Sequence, residues 1–219
     1  MNDQLIFKFP KYKIYKKEDF YVSSSNQEAY DFVISWPRWI RRIVNIFGPS
    51  GSGKSHLASI LKNKTTCFQI NSNELNEKIF TKYKTKEALI IENLDEKISE
   101  KLLFAIWNVS LQDNKYLMIT SKKPINSYSF KLKDLSSRIK SCLSFGINLP
   151  NDDLLSVILA KNFSDKQMKV EKKHIDYIVK RIDRSYEKIG QFILTLDKYS
   201  LKKGSPFSLK LIKEVLKMM

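Results

Sequence analysis

A chain of 219 residues has room for one α/β domain plus a small accessory domain, with enough core to fold without staples. Its two cysteines, Cys67 and Cys142, both lie in apolar segments and suit a reducing cytosol, which argues against a disulfide-built secreted scaffold. No apolar run is long enough to span a membrane, and the Lys-rich start (Lys8, Lys11, Lys13, Lys16, Lys17) lacks a signal-peptide core. The formal charge of +16 raises the question of nucleic acid. Yet only six of the 39 basic residues are Arg, and the lysines are scattered. That pattern, with abundant Asn and Ile, also fits an AT-rich coding bias.

The chain opens with an arm, 1–22, in which Leu5, Phe7 and Phe9 alternate with Ile6 and Lys8. Residues 26–39 have helical spacing, interrupted at Pro37 within Trp36-Pro37-Arg38-Trp39. Ile43-Val44-Asn45-Ile46-Phe47 predicts a first buried strand, and 67–70, 88–91, 116–120 and 145–149 predict four more. Between the third and fourth lies a helix over 97–112, its apolar face drawn from Leu102, Leu103, Ile106, Val109 and Leu111. Short strands apolar on both faces, alternating with helices, predict an α/β fold with a mostly parallel sheet covered on both sides. After Pro150 the pattern is helical throughout, with helices expected over 152–162, 171–182, 185–199 and 207–218. The expected division is therefore an arm at 1–22, a nucleotide-binding core at 23–149 and an all-α lid at 150–219.

Directly after the first strand, Gly48-Pro49-Ser50-Gly51-Ser52-Gly53-Lys54-Ser55 spells G-x-x-x-x-G-K-S. A helical pattern beginning at Ser55-His56-Leu57 follows it. Strand, Gly-rich turn and helix together form the context of a phosphate-binding loop. The glycines let backbone N–H groups wrap a phosphate, and the helix N-terminus adds a favourable dipole. Lys54 is expected at the β- and γ-phosphates, and the Ser55 hydroxyl at Mg²⁺. The third strand ends in Glu92, an acid suited to orient Mg²⁺ through water. The next position, where an acid that activates water is usual, holds Asn93, which can orient a water but cannot take its proton. His56 and His174 have no Cys or His companions at metal-ligand spacing, so Mg²⁺ is the metal expected.

These elements together resemble the DnaA branch of the AAA+ ATPases, and within it the Hda-type regulatory inactivators of DnaA. The resemblance rests on Gly53-Lys54-Ser55-His56-Leu57, Ile90-Ile91-Glu92-Asn93, Ile119-Thr120-Ser121, Asp134-Leu135-Ser136-Ser137-Arg138 and Arg184-Ser185-Tyr186. It extends to Asp19-Phe20-Tyr21-Val22 and the Trp36–Trp39 turn. It implies an AAA+ core with a helical lid, ADP or ATP as ligand along 48–56, and Thr120 with Ser121 as a first sensor of the γ-phosphate. Lys122 follows where the family often has an acid. Arg138 matches an arginine finger offered to a neighbour's nucleotide, with a plain surface Arg as the alternative. Arg184 matches a second sensor, with a capping or ion-paired Arg as the alternative.

Gln4-Leu5-Ile6-Phe7-Lys8-Phe9 resembles the peptide by which Hda proteins dock on the DNA polymerase sliding clamp, with Gln4, Leu5, Phe7 and Phe9 as its anchors. The resemblance thus implies a cytoplasmic replication regulator with DnaA and the clamp as partners and feeble turnover of its own. Self-association and indirect DNA contact are compatible with it. DnaA continues into a helix-turn-helix domain where this sequence reaches Met219, which on the resemblance favours the regulator. The alternative is a DNA-acting AAA+ ATPase, a minimal initiator or helicase-loader-like motor.

Overall fold

A computed structural model describes residues 17–203 and 208–219, position 169 excepted. The anchors Gln4, Leu5, Phe7 and Phe9 lie outside the described residues. After a short 3-10 turn, Lys17–Asp19, the chain runs α1 (Gln27–Ile34), β1 (Ile43–Phe47), α2 (Lys54–Lys62), β2 (Cys67–Asn71), α3 (Ile79–Lys84), β3 (Ala88–Leu94) and α4 (Glu100–Gln112). It continues with β4 (Tyr116–Ser121), α5 (Lys133–Lys140), β5 (Leu143–Gly146), α6 (Asp152–Asp165), α7 (Lys172–Val179), α8 (Tyr186–Lys203) and α9 (Leu209–Lys217). The five strands form one parallel sheet in the order β2-β3-β4-β1-β5. Among the described residues no helix is long and apolar enough to cross a membrane.

Period-two alternation splits the strand side chains between two helical layers. Leu89, Ile91, Leu117 and Ile119 pack with residues of α3, α4 and α5, including Tyr83, Leu103, Ile106, Leu135 and Ile139. Val44, Ile46, Ile90 and Met118 pack with Phe32, Leu57, Ala58 and Leu61 of α1 and α2 on the other face. A third cluster, running from Leu155 to Val215, is formed by α6 to α9 and the segments joining them. Asn151 opens that helical part, its side chain accepting from the Leu154 N–H at 2.9 Å.

Several elements depart from the sequence-based expectation for local reasons. The first helix stops at Ile34, because Ser35 turns its hydroxyl onto the Phe32 carbonyl and the chain then approaches Pro37. Helix α4 begins at Glu100, where Ser99 caps the Leu102 N–H. Its buried stripe is Leu103, Ile106, Trp107 and Ser110, so Leu111, expected on the apolar face, stands 43 % exposed. The fifth strand occupies 143–146 and not 145–149. Ile147 N–H donates to Phe47 O at 2.7 Å as the last bond to β1, and Asn148 N–H then goes to Ser25 O at 2.9 Å, which takes the chain out of the ladder. Helix α3 was not expected, since its six residues make less than two turns, too short for a helical period to show.

Asn45 is the polar knot of the sheet. Fully buried, it donates to Ile119 O (3.1 Å) and Ser121 Oγ (2.8 Å) and accepts from the Ile125 N–H (2.9 Å). It thereby ties β1 to β4 and to the turn beyond it, at the strand ends where α/β sheets bind ligands. Asn45→Ala is expected to cost about 2–4 kcal/mol in urea unfolding. A loss below about 0.5 kcal/mol would show that these three bonds do not hold the strand ends.

Candidate functional site

The turn from β1 into α2 carries the Gly-rich motif at the C-terminal edge of the sheet. Gly51 (φ +81°) and Gly53 (φ +99°) adopt left-handed backbone that other residues rarely enter. Both are also tightly covered. A Cβ at Gly51 would sit 3.1 Å from Tyr186 Cβ, and one at Gly53 would sit 3.0 Å from the Phe20 ring. Gly53 directly precedes α2, so the free N–H groups of that helix open onto the loop.

Lys54 is 7 % exposed, and its Nζ donates to Gly48 O and Pro49 O, each at 2.8 Å. Burial draws its pKa down to about 8, the nearby Lys122 charge pushes the same way, and Glu92 opposes both. The Ser52 hydroxyl is buried with no hydrogen-bond partner among the described residues. A buried ammonium held only by carbonyl oxygens, beside an orphaned hydroxyl, fits a dense anion far better than it fits a closed loop.

Ser55 Oγ donates to one carboxylate oxygen of Glu92, and Gln69 Nε2 donates to the other. Hydroxyl and carboxylate are thus brought together as the motif predicts. Gln69 is a partner that sequence reasoning missed, hidden within an apolar strand. Among the described residues no cluster of three or more His, Cys, Asp or Glu could hold a metal by itself. One hydroxyl and one carboxylate suit Mg²⁺, which typically takes few protein oxygens and completes its shell from phosphate and water.

Asn93 takes left-handed backbone (φ +57°), which Asn tolerates, with its side chain exposed. Its N–H donates to Thr120 Oγ1 at 3.0 Å and its carbonyl accepts from Ser72 Oγ at 2.7 Å. Thr120 is therefore fully buried at the end of β4, and it registers β3 against β4 there. Ser121, read with Thr120 as a sensor, is bound up with Asn45 and donates to Lys123 O at 2.7 Å. His56 packs edge-on against Phe20 (5.2 Å), which stacks on Tyr30 (5.5 Å).

Beside the loop opens a pocket of about 330 Å³. Its lining joins Gly51, Ser52 and Gly53 to a first wall of Glu18, Asp19, Phe20, Tyr21, Val22 and Asn26 and a second that includes Leu154, Ile158, Lys161 and Tyr186. Asn26 shapes the first wall, donating to Tyr21 O at 3.0 Å and accepting from Ser23 N–H at 2.9 Å. Tyr186 donates to Asn148 O at 3.1 Å, and burial raises its hydroxyl pKa. Of the lining outside the Gly-rich loop, the sequence had flagged only the 19–22 segment and the Arg184-Ser185-Tyr186 turn, both by resemblance and with no pocket role.

The two arginines stand apart from the loop. Arg184 is exposed, paired with Asp152 at 2.9 Å, and it is Tyr186, two residues on, that lines the pocket. Arg138 lies on α5, on the sheet face opposite α2, with its guanidinium 5.4 Å over the Phe104 ring.

A solved structure of domain III from the Thermotoga maritima replication initiation protein DnaA superposes with a TM-score of 0.79 at 21 % identity, covering 95 % of this chain and 98 % of that one. The fold is that of DnaA domain III. A structure of replication initiator DnaA bound to AMPPCP and single-stranded DNA aligns with a TM-score of 0.68 at 16 % identity, over 87 % of this chain and 68 % of that one. In sequence, DnaA of Borreliella afzelii is 26 % identical over 214 residues, covering 85 % of this chain and 44 % of its own length. The chain thus spans less than half of that DnaA relative. No family model matches the sequence.

The depressed Lys54 pKa makes a signed prediction about DnaA-like folds of this kind. Between about pH 8 and its ordinary value near 10.5, the unfolded chain holds a proton on Lys54 that the folded chain has released. Stability relative to Lys54→Met should therefore rise with pH across that window, by an amount on the order of 2–3 kcal/mol. Urea titrations at pH 7, 9 and 10 test it. A difference between the two proteins that does not change with pH would mean the ammonium is solvated.

Proposed function

We propose that this chain binds an adenine nucleotide, ADP or ATP with Mg²⁺, between core and lid, and serves replication initiation by lending Arg138 to ATP held by DnaA. One observation carries the nucleotide reading. At one end of the sheet, next to a buried ammonium, the orphaned Ser52 hydroxyl lines a pocket of about 330 Å³ that also carries the aromatic Phe20, Tyr21 and Tyr186 and the charged Glu18, Asp19 and Lys161.

In this reading Lys54 leaves the Gly48 and Pro49 carbonyls for the phosphates, whose charge restores its pKa. Ser52, with the backbone N–H groups of the loop and of α2, takes the remaining phosphate oxygens. Ser55 and Glu92 would hold Mg²⁺, largely through water, and the ion would supply charge neutralisation at the phosphates. Gln69 keeps the carboxylate aimed. Phe20, Tyr21 and Tyr186 enclose the base. Asn93, an amide where a base is usual, leaves the chain's own water activation weak.

Arg138 is presented on the far face of the sheet, braced by Phe104, and a rigid guanidinium suits charge developing on a neighbour's phosphoryl group. The clamp enters through Gln4, Leu5, Phe7 and Phe9. The nucleotide then acts as a conformational part, setting core against lid. Arg184, released from Asp152, would join the phosphates as that setting closes.

A second reading, a DNA-acting AAA+ ATPase, is favoured by the +16 charge and by the likeness to a DnaA solved with single-stranded DNA. A reconstituted assay of DnaA-bound ATP hydrolysis, with and without DNA-loaded clamp, separates the two. Wild type should stimulate hydrolysis, whereas Arg138→Ala, still folded and nucleotide-bound, should lose roughly a thousandfold of that stimulation. Normal stimulation by Arg138→Ala would place the finger elsewhere. Brisk hydrolysis by the chain alone, with steeply salt-dependent DNA binding, would establish the second reading. Gln4→Ala with Leu5→Ala should abolish clamp pull-down at unchanged nucleotide affinity, and undiminished capture would remove the docking claim.

A further inference from the structure

One motif of the sequence takes no part in the nucleotide site. Trp36-Pro37-Arg38-Trp39, with Ile40-Arg41-Arg42 after it, forms the turn between α1 and β1, at the edge of the sheet where the strands begin. The Gly-rich loop lies at the opposite edge. Tyr116 anchors the turn. Its hydroxyl donates to Pro37 O at 3.0 Å, and the rings of Trp36 and Trp39 meet it edge-on at 5.9 and 5.6 Å. Trp39 also packs on Phe32 at 4.7 Å and is 8 % exposed. Arg42 lies over the Tyr116 ring at 5.0 Å and donates to Asn114 O at 2.7 Å. The base of the turn is thus firmly held, and Arg38, Ile40 and Arg41 stand exposed on it.

Composition makes that trio informative. Only six of the 39 basic residues are Arg, and three of those six fall within 38–42. A coding bias towards lysine does not explain arginines gathered in one turn. Arg carries a planar fork of donors that matches a carboxylate two bonds at a time, and it is enriched at protein interfaces where Lys is depleted. Among the described residues no carboxylate pairs with Arg38, Arg41 or Arg42. Ile40, between them, is 81 % exposed. Lys64, Lys86, Lys115 and Lys140 stand one to three residues before β2, β3, β4 and β5, so the parallel sheet gathers them along the same edge. The exposed acids Glu87 and Asp113 interrupt that edge without an ion pair to any of these cations.

A phosphate backbone would leave Ile40 uncovered. One exposed apolar side chain is also too little to seat in a lipid interface, because Trp39 is already buried within the turn. A protein surface with an apolar residue among carboxylates satisfies both features. We propose that the 38–42 turn docks an acidic peptide segment of a partner protein, with Ile40 covered by an apolar side chain and Arg38 and Arg41 paired with flanking carboxylates. The proposal does not rest on the nucleotide reading, since the two sites share no residue.

Fluorescence anisotropy of the full chain with a labelled synthetic peptide, Leu-Phe flanked on both sides by glutamates, tests this. Wild type should bind it more tightly than a control peptide with Ser-Ser in place of Leu-Phe. Arg38→Ala with Arg41→Ala should weaken binding about tenfold, and Ile40→Ser about threefold. Arg38→Lys with Arg41→Lys should recover only part of the loss, because lysine lacks the bidentate fork. Lys210→Ala with Lys217→Ala, on α9, should change nothing. Unchanged thermal unfolding of these exposed-site variants excludes a folding defect as the cause. No binding by wild type, or equal affinity in the Arg38→Ala, Arg41→Ala variant, would overturn the proposal. Tighter binding to a DNA duplex or to phosphatidylserine vesicles than to the peptide, lost in that same variant, would overturn it in favour of a phosphate surface.

Discussion

An ammonium buried on main-chain carbonyls, with no carboxylate bonded to it, is an unfavourable thing to build into a protein. Lys54 occupies that position, and much of the surrounding structure exists to hold it there. The backbone bends at Gly51 and Gly53 so that the carbonyls of Gly48 and Pro49 point inward at the Nζ. Glu92 supplies the opposing charge nearby yet is kept occupied by Ser55 and Gln69, so it does not collapse onto the lysine. The result is a buried cation whose charge is offset only in part, by two carbonyls and by Glu92.

The sheet makes this arrangement stiff. Asn45 crosses from β1 to β4 and on to Ile125, and Thr120 crosses from β4 to the backbone of Asn93. These links sit at the carboxyl ends of adjacent strands, so the loop, the acidic residue and the β4 tip share one rigid base. Apolar burial on both faces, from Ile90 and Met118 on one side to Ile91 and Ile119 on the other, fixes the register beneath them.

What could be read from the sequence follows from which forces are local. The Gly-rich turn between β1 and α2 was readable because its backbone geometry demands glycines at set positions and an apolar strand before them. The core strands were readable because a strand covered on both faces must be apolar throughout. The pocket wall was not. Phe20, Asn26 and Tyr186 are separated by up to 166 residues, and nothing local to Tyr186 says that it will meet Gly51. Gln69 looked like a lapse in an apolar run, since its reason for being there is a carboxylate on the neighbouring strand. The end of β5 was misjudged because 145–149 keeps alternating while the Asn148 N–H is claimed by Ser25, away from β1. Leu111 lost its expected place because α4 turns Trp107 and Ser110 inward. The resemblance to DnaA proved sound at the level of fold, where the domain III superposition covers nearly the whole chain.

The contact between Gly51 and Tyr186 has a mechanical consequence. Tyr186 is the first residue of an 18-residue helix, a rod of about 27 Å. Its root rests on the bend of the loop with no slack between the two. A tilt of about 5° at that root sweeps the far end through roughly 2 Å. A tenths-of-an-ångström rearrangement around Gly51 is thereby geared up into a displacement that a neighbouring molecule can feel.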